Sequence, residues 1–218
     1  MLRSLSNLLS KKGRPKPDAQ GVIMLGFCNA GKTSILYRLF LNELVTTIPT
    51  PVHSFNKQTV TLPSNTSSSF SSQGMTKYTF YDHSGNLGAI RFWHKFMKEG
   101  GPVIFVVDST DPGSFYEAQE ALRMAYLEYE NDNNVQGGIL LVLCNKQDCP
   151  DAASVEDIKS QLGLEDTWMW GRRWHIRGVS AKTGEGIWEA MDWLETQLSG
   201  PALPTISMKR SSVLSHKK

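Results

Sequence analysis

Eight consecutive residues constrain this chain most: Gly26, Phe27, Cys28, Asn29, Ala30, Gly31, Lys32 and Thr33. They fit the spacing G-x-x-x-x-G-K-[ST], directly after the apolar run 22–25 and directly before a helical period that begins at Lys32. A glycine-rich turn between a strand and a helix is the setting in which this spacing builds a phosphate cradle. The glycines let the backbone curl so that successive N–H groups point into one concavity, and the helix N-terminus adds its positive end. Gly26, Asn29, Ala30, Gly31 and Ser34 are therefore expected around phosphate oxygens. Lys32 is expected to bring a positive charge to the β- and γ-phosphates, and the Thr33 hydroxyl to ligate Mg²⁺.

The rest of the chain alternates in the same rhythm. Residues 103–107 and 139–144 are short, continuous and rich in β-branched side chains, the mark of strands buried on both faces. Further strands are expected at 78–80 and 174–177, and a helix over 185–198. Ser114-Phe115-Tyr116-Glu117 and Ser154-Val155-Glu156-Asp157 each read as a capping box that opens a helix. Alternating strand and helix predicts an α/β domain with a mostly parallel sheet. A chain of 218 residues, 40% of them apolar, can bury such a core without disulfides. Cys28, Cys144 and Cys149 form no C-x-x-C pair, which points to a reducing, cytoplasmic setting rather than a disulfide or zinc framework.

Charge divides the chain. Residues 1–20 carry five basic side chains and one acidic, and the last eighteen carry Lys209, Arg210, Lys217 and Lys218. The whole is only +2, so residues 21–200 sum to −6. That balance argues against a nucleic-acid binder working through its whole surface. The expected organisation is a basic segment over 1–20, a folded domain over 21–199 and a basic disordered tail over 200–218. Within the first segment Leu2, Leu5, Leu8 and Leu9 share one face of a helical period, which Pro15 and Pro17 end. Residues 63–75 crowd Ser, Asn and Gly and are predicted to form a mobile loop. No apolar run approaches the length of a membrane-spanning helix.

A phosphate cradle does not choose a base; Asn145-Lys146-Gln147-Asp148 does, at the carboxyl end of the strand predicted over 139–144. An Asp carboxylate only accepts hydrogen bonds. Asp148 therefore suits the N1–H and exocyclic amine of guanine and repels the acceptor edge of adenine. The Lys146 stem can lie along the purine, and a backbone N–H of Ser180-Ala181-Lys182 can meet the guanine O6. GTP and GDP are thus favoured over ATP. Asp82 is placed to hold the Mg²⁺ shell, the Gly85 N–H to meet a γ-phosphate, and Thr50 to close over the metal when that phosphate is present.

With these motifs in place, the chain resembles the Arf and Arf-like family of small GTPases from about Gly21 to Leu198. Its marks are Thr-Thr-Ile-Pro-Thr at 46–50, Phe-Val-Val-Asp-Ser at 105–109, Asn-Lys-Gln-Asp at 145–148, Leu-Gly-Leu at 162–164 and Asp-Trp-Leu at 192–194. Residues 89–93 are similar to the Sar switch helix. The resemblance implies a P-loop small-GTPase fold: a six-stranded, mostly parallel sheet with one antiparallel edge strand and helices on both faces. It also implies a GTP/GDP switch with Mg²⁺, with effector, exchange-factor and GTPase-activating partners, in membrane or vesicle traffic. Phe55, Tyr81 and Phe96 fall where the family shows an effector-facing aromatic trio; core packing is the alternative for each.

The departures are as informative. Where the family reads Asp-x-Gly-Gly-Gln, this chain reads Asp82-His83-Ser84-Gly85-Asn86. Asn86, the candidate water-positioning residue with Lys32 as its catalytic partner, is one methylene shorter than Gln, about 1.5 Å of reach. Slow hydrolysis is therefore expected; His83 occupies the variable position of the pattern, where its side chain is expected to point into the core rather than to act as a substitute base. Two extra residues lie between Thr50 and Phe55-Asn56. Leu2 stands where N-myristoylation needs Gly, and the chain ends Ser-His-Lys-Lys, so lipid anchors are not expected. The leucine face of the basic N-terminal segment leaves weak peripheral contact with intracellular membranes. Two functions remain open: a slow GTP/GDP switch, or a hydrolysis-deficient, GTP-bound adaptor.

Overall fold

A computed structural model describes residues 19–45, 47, 50–51, 54–64, 74–97, 101–133, 135–136, 138–169, 171–200 and 206–207. The elements run β1 (Gln20–Leu25), α1 (Lys32–Leu41), β2 (Phe55–Ser64), β3 (Gly74–His83), α2 (Leu87–Ile90), α3 (Trp93–Met97) and β4 (Val103–Asp108). They continue α4 (Phe115–Asn133), β5 (Val135–Gln136), β6 (Ile139–Asn145), α5 (Val155–Gln161), β7 (Arg173–Gly178), α6 (Ile187–Ser199) and β8 (Ile206–Ser207). Six strands form one sheet in the order β2-β3-β1-β4-β6-β7. Every pairing is parallel except β2 with β3, so the antiparallel strand lies at the edge, as the resemblance implies.

The continuous apolar runs become strands covered on both faces. Val22 and Met24, Ile104 and Val106, and Leu141 and Leu143 point to one core, shared with Ile35, Leu36 and Leu39 of α1 and Ala190 and Leu194 of α6. Their neighbours Ile23, Leu25, Phe105 and Val142 point to the other, shared with Trp93, Leu122 of α4 and Ile158 of α5. Successive strand side chains alternate faces, so an unbroken apolar run feeds two cores at once. Each fully buried aliphatic side chain contributes about 1.5–3 kcal/mol. Trp168 and Trp174 pack against the second core.

Several local expectations change. β3 is much longer than 78–80 and carries Asp82 and His83 within its ladder, opposite Asn56 and Phe55. The ends of the expected loop over 63–75 belong to this hairpin, with Pro63 opposite Met75 and Ser64 opposite Gly74; residues 65–73 lie outside the described residues. Ser154 caps α5 as expected, accepting the Asp157 N–H at 3.1 Å. The Ser114 hydroxyl does something else: it donates to the Asp111 carbonyl at 2.9 Å, at the end of a short 3-10 turn. The helix expected over 185–198 starts at Ile187, because Gly186 turns the chain in at φ 74°. Two residues of the expected disordered tail, Ile206–Ser207, pair antiparallel with Val135–Gln136. The leucine face of residues 2–9 lies outside the described residues.

Candidate functional site

The strands β1, β4, β6 and β7 end at one edge, and the loops that follow them line a cleft. This is the carboxyl edge where open α/β sheets bind ligands. At its phosphate end the cleft holds about 240 Å³ and is lined by Asn29, Gly31, Lys32, Thr33, Ser34, Thr50 and Gly85, all expected there, together with Cys28 and Thr47. The turn is sterically specified. Gly31 sits at φ +92°, and a Cβ there would lie 2.1 Å from the Asn145 Nδ2. A Cβ on Gly85 would lie 2.2 Å from the Gly26 carbonyl oxygen. Only glycine leaves room for the Asn145 side chain at the first and the Gly26 backbone at the second. Gly85 also accepts the Cys28 N–H at 3.2 Å through its carbonyl, which ties the segment after β3 to the cradle.

Lys32 is 6% exposed and folds back over the turn, donating to the Gly26 carbonyl at 2.8 Å and the Phe27 carbonyl at 2.9 Å. Burial pulls its pKa down, against the raising influence of the nearby Asp82 carboxylate. Asp82 is fully buried, and burial raises its pKa against the Thr33 hydroxyl and the Lys32 charge. Its Oδ2 accepts from the Thr33 hydroxyl at 2.6 Å and from Asn56 Nδ2 at 3.3 Å. Its Oδ1 is buried and has no partner. An orphaned carboxylate oxygen beside two hydroxyls, Thr33 and Thr50, fits a small hard cation that completes its shell with water and ligand phosphates. No cluster of three or more His, Cys, Asp or Glu stands among the described residues, so carboxylates alone do not build that site.

The other end is braced. Asn145 donates from Nδ2 to the Ala30 carbonyl at 2.8 Å and accepts the Ala181 N–H through Oδ1 at 2.9 Å. It therefore holds the cradle to the loop after β7; of the Ser180, Ala181 and Lys182 N–H groups, any of which could meet a guanine O6, those of Ser180 and Ala181 already have protein partners. Lys146, at φ 70°, pairs with Asp108, whose other oxygen takes the Thr110 N–H and hydroxyl. Burial works to raise Asp108, but these donors outweigh it and leave its pKa low. Asp148 accepts from the Ser180 hydroxyl at 2.6 Å and faces the Lys182 ammonium at 3.4 Å. The Ser180 hydroxyl first, and Lys182 after it, hold its carboxyl below the ordinary range. Asp148 is thus ionised and acceptor-only, the form that reads guanine.

Three residues that sequence reasoning passed over shape the site. Arg38 at the end of α1 donates to the carbonyls of Ala181 and Lys182, more than 140 positions away, and to that of Asn42. No local pattern marks such a contact. Asp108 was signalled only by its place at the carboxyl end of a buried strand. Asn56 links Thr50 to Asp82 and was visible only as part of Phe55-Asn56.

The expected chemistry after β3 is rearranged. Asn86 is exposed, and its Oδ1 accepts the Gly88 N–H at 3.0 Å, so it is the N-cap of α2. His83 is 5% exposed and stacks on Phe96 at 3.8 Å, and burial pushes its pKa down to about 4. That places it in the core rather than over the phosphates, as expected. It also joins the aromatic trio: Phe55 lies 5.8 Å from Tyr81 and 5.3 Å from His83.

Comparison with known proteins agrees. The solved structure of the Arl6 (BBS3) small GTPase of Trypanosoma brucei with bound GppNp is similar in fold, with a TM-score of 0.66 and 23% identity over 83% of this chain and 98% of that one. The profile of the ADP-ribosylation factor family matches residues 5–198. With its P-loop, its six-stranded sheet and its Asn-Lys-Gln-Asp loop in these positions, the chain belongs to the ADP-ribosylation factor family of small GTPases.

Proposed function

We propose that this chain is a guanine-nucleotide switch that holds GDP or GTP with Mg²⁺, hydrolyses GTP slowly and engages effector, exchange-factor and activating proteins in cytoplasmic membrane traffic. One observation carries the nucleotide reading: the Thr33 and Thr50 hydroxyls line the phosphate end of the cleft, the buried Asp82 carboxylate with one unpartnered oxygen stands behind Thr33, and an ionised, acceptor-only Asp148 lies after β6, the next strand but one from β1 in the sheet. Family membership supports the partners and the traffic role. The basic leucine-bearing N-terminal segment supports weak peripheral attachment.

In this reading Lys32 turns its charge from the turn carbonyls toward the phosphates. Thr33 and Thr50 would ligate Mg²⁺ and Asp82 would hold its water shell; the ion when bound would neutralise phosphate charge. Asn145 keeps the cradle and the Ser180-Ala181-Lys182 loop together while Asp148 reads the base.

Asn86 favours a second reading, a GTP-bound adaptor with little hydrolysis. Its amide oxygen caps a helix, and that leaves a water without the acceptor a longer side chain would offer. The nucleotide that co-purifies with the protein separates the readings. GDP supports the switch, GTP the adaptor, and the absence of guanine nucleotide overturns both. Asn86→Gln should raise the single-turnover hydrolysis rate; an unchanged rate removes Asn86 as the cause of slow turnover.

A further inference from the structure

The stretch that delivers Thr50 to the cleft is two residues longer than the family spacing, yet Thr50 still lines the phosphate end. Two contacts account for this. The Ser54 N–H donates to the Pro51 carbonyl at 3.0 Å. Asn56 then stands at the start of β2, directly opposite Asp82. From there its Nδ2 donates to the Thr50 hydroxyl at 3.1 Å and to Asp82 Oδ2 at 3.3 Å.

Those acceptors come from different segments that a metal ion must find together. Thr33 donates to the same Asp82 Oδ2, which leaves Oδ1 buried and without a partner. A hydroxyl that accepts one hydrogen bond keeps a second lone pair, so the Thr50 oxygen remains able to ligate.

We propose that Asn56 is a positioning residue for the metal site. Its amide straps the lengthened Thr50 segment to Asp82 and pre-assembles one side of the Mg²⁺ shell. This rests on the nucleotide-and-metal reading above. Asn56 touches neither phosphate nor base in it. Its side chain acts through Thr50 and Asp82, holding them within reach of one ion and so reducing the ordering needed on binding.

The test follows release of a fluorescent, non-hydrolysable GTP analogue from the full-length protein across a Mg²⁺ titration, for wild type and Asn56→Ala. Asn56 is exposed, so the fold should survive, and an unchanged melting curve verifies that. The Mg²⁺ concentration that half-slows release should rise about three- to tenfold, the scale of one or two hydrogen bonds. Release in excess chelator should be the same for both proteins. In a Thr50→Ala background the same substitution should produce a clearly smaller shift, whereas a general loosening of the fold would add in full. An unchanged midpoint, an equal acceleration in chelator, or full additivity with Thr50→Ala overturns the proposal and leaves the nucleotide reading intact. A wild-type protein that retains no guanine nucleotide overturns both.

Discussion

The base end and the phosphate end of the cleft are built to different degrees of completion. At the base end the side chains already have partners: Asn145 bridges two loops, Lys146 is paired with Asp108, and Ser180 and Lys182 share Asp148. Arg38 pins the same loop from behind. At the phosphate end, burial works against the charged forms of both Lys32 and Asp82, and one Asp82 oxygen has no partner. An unpaired buried charge is costly. The contrast teaches that the proposed base reader is preformed by the fold, whereas the phosphate end is a structure whose electrostatics a bound anion and cation would complete.

The sharpest break of this contrast is Lys32→Ala. It removes the charge from the incomplete end, and nucleotide affinity measured by calorimetry should fall on the order of a hundredfold, the scale of two charged hydrogen bonds. Asp148→Ala tests the preformed end: guanine nucleotide should bind about thirtyfold more weakly, with the preference over adenine reduced, for one lost charged acceptor. If adenine stays excluded to the same degree, Asp148 is not the reader.

Acid should separate the ends next. The His83 pKa is about 4, below the ordinary 6.5, so the unfolded chain binds the extra proton between those values. Stability therefore falls as pH drops from about 6.5 toward 4, by about 2 kcal/mol from this group. Asp148 responds in the same direction but in a lower window: its depressed pKa keeps its contribution intact above the ordinary carboxylate range, and that contribution is lost as pH falls from there through the lowered value. Denaturant melts of wild type and His83→Phe across that window should diverge; parallel curves contradict the buried-neutral assignment. The smallest effect belongs to Arg38→Ala, about 1 kcal/mol of stability, because part of its guanidinium network is solvent-exposed. A loss confined to stability, with base affinity unchanged, would show that the brace is not needed for reading.

How much of this was legible in the chain varies with range. The cradle was readable because its chemistry is local: eight residues set the turn, the lysine and the threonine. The central strands were readable because runs such as 139–144 are apolar without alternation. Asn86 carried a local signal too, since Asn favours helix N-caps, but the family pattern at that position drew attention to water instead. The core place of His83 was legible from the pattern, but nothing near it in sequence says that Phe96 will stack on its ring. The double role of Asn145 was hidden for the same reason: its partners, Ala30 and Ala181, are 115 and 36 positions away.

The amino-acid sequence by itself determined the α/β alternation, the glycine-rich turn with its lysine and threonine, and the acceptor-only carboxylate of Asp148 proposed to read the base. Each depends on residue type at short spacing, where backbone geometry leaves few alternatives. The tertiary structure decided which of those groups are braced and which wait. Hydrogen bonds such as Arg38 to Ala181, Asn145 to Ala30 and Asn56 to Asp82 exist only after the sheet has aligned the carboxyl ends of its strands. Burial at that edge, which no local pattern encodes, then pushes the pKa of Asp82 up and those of Lys32 and His83 down.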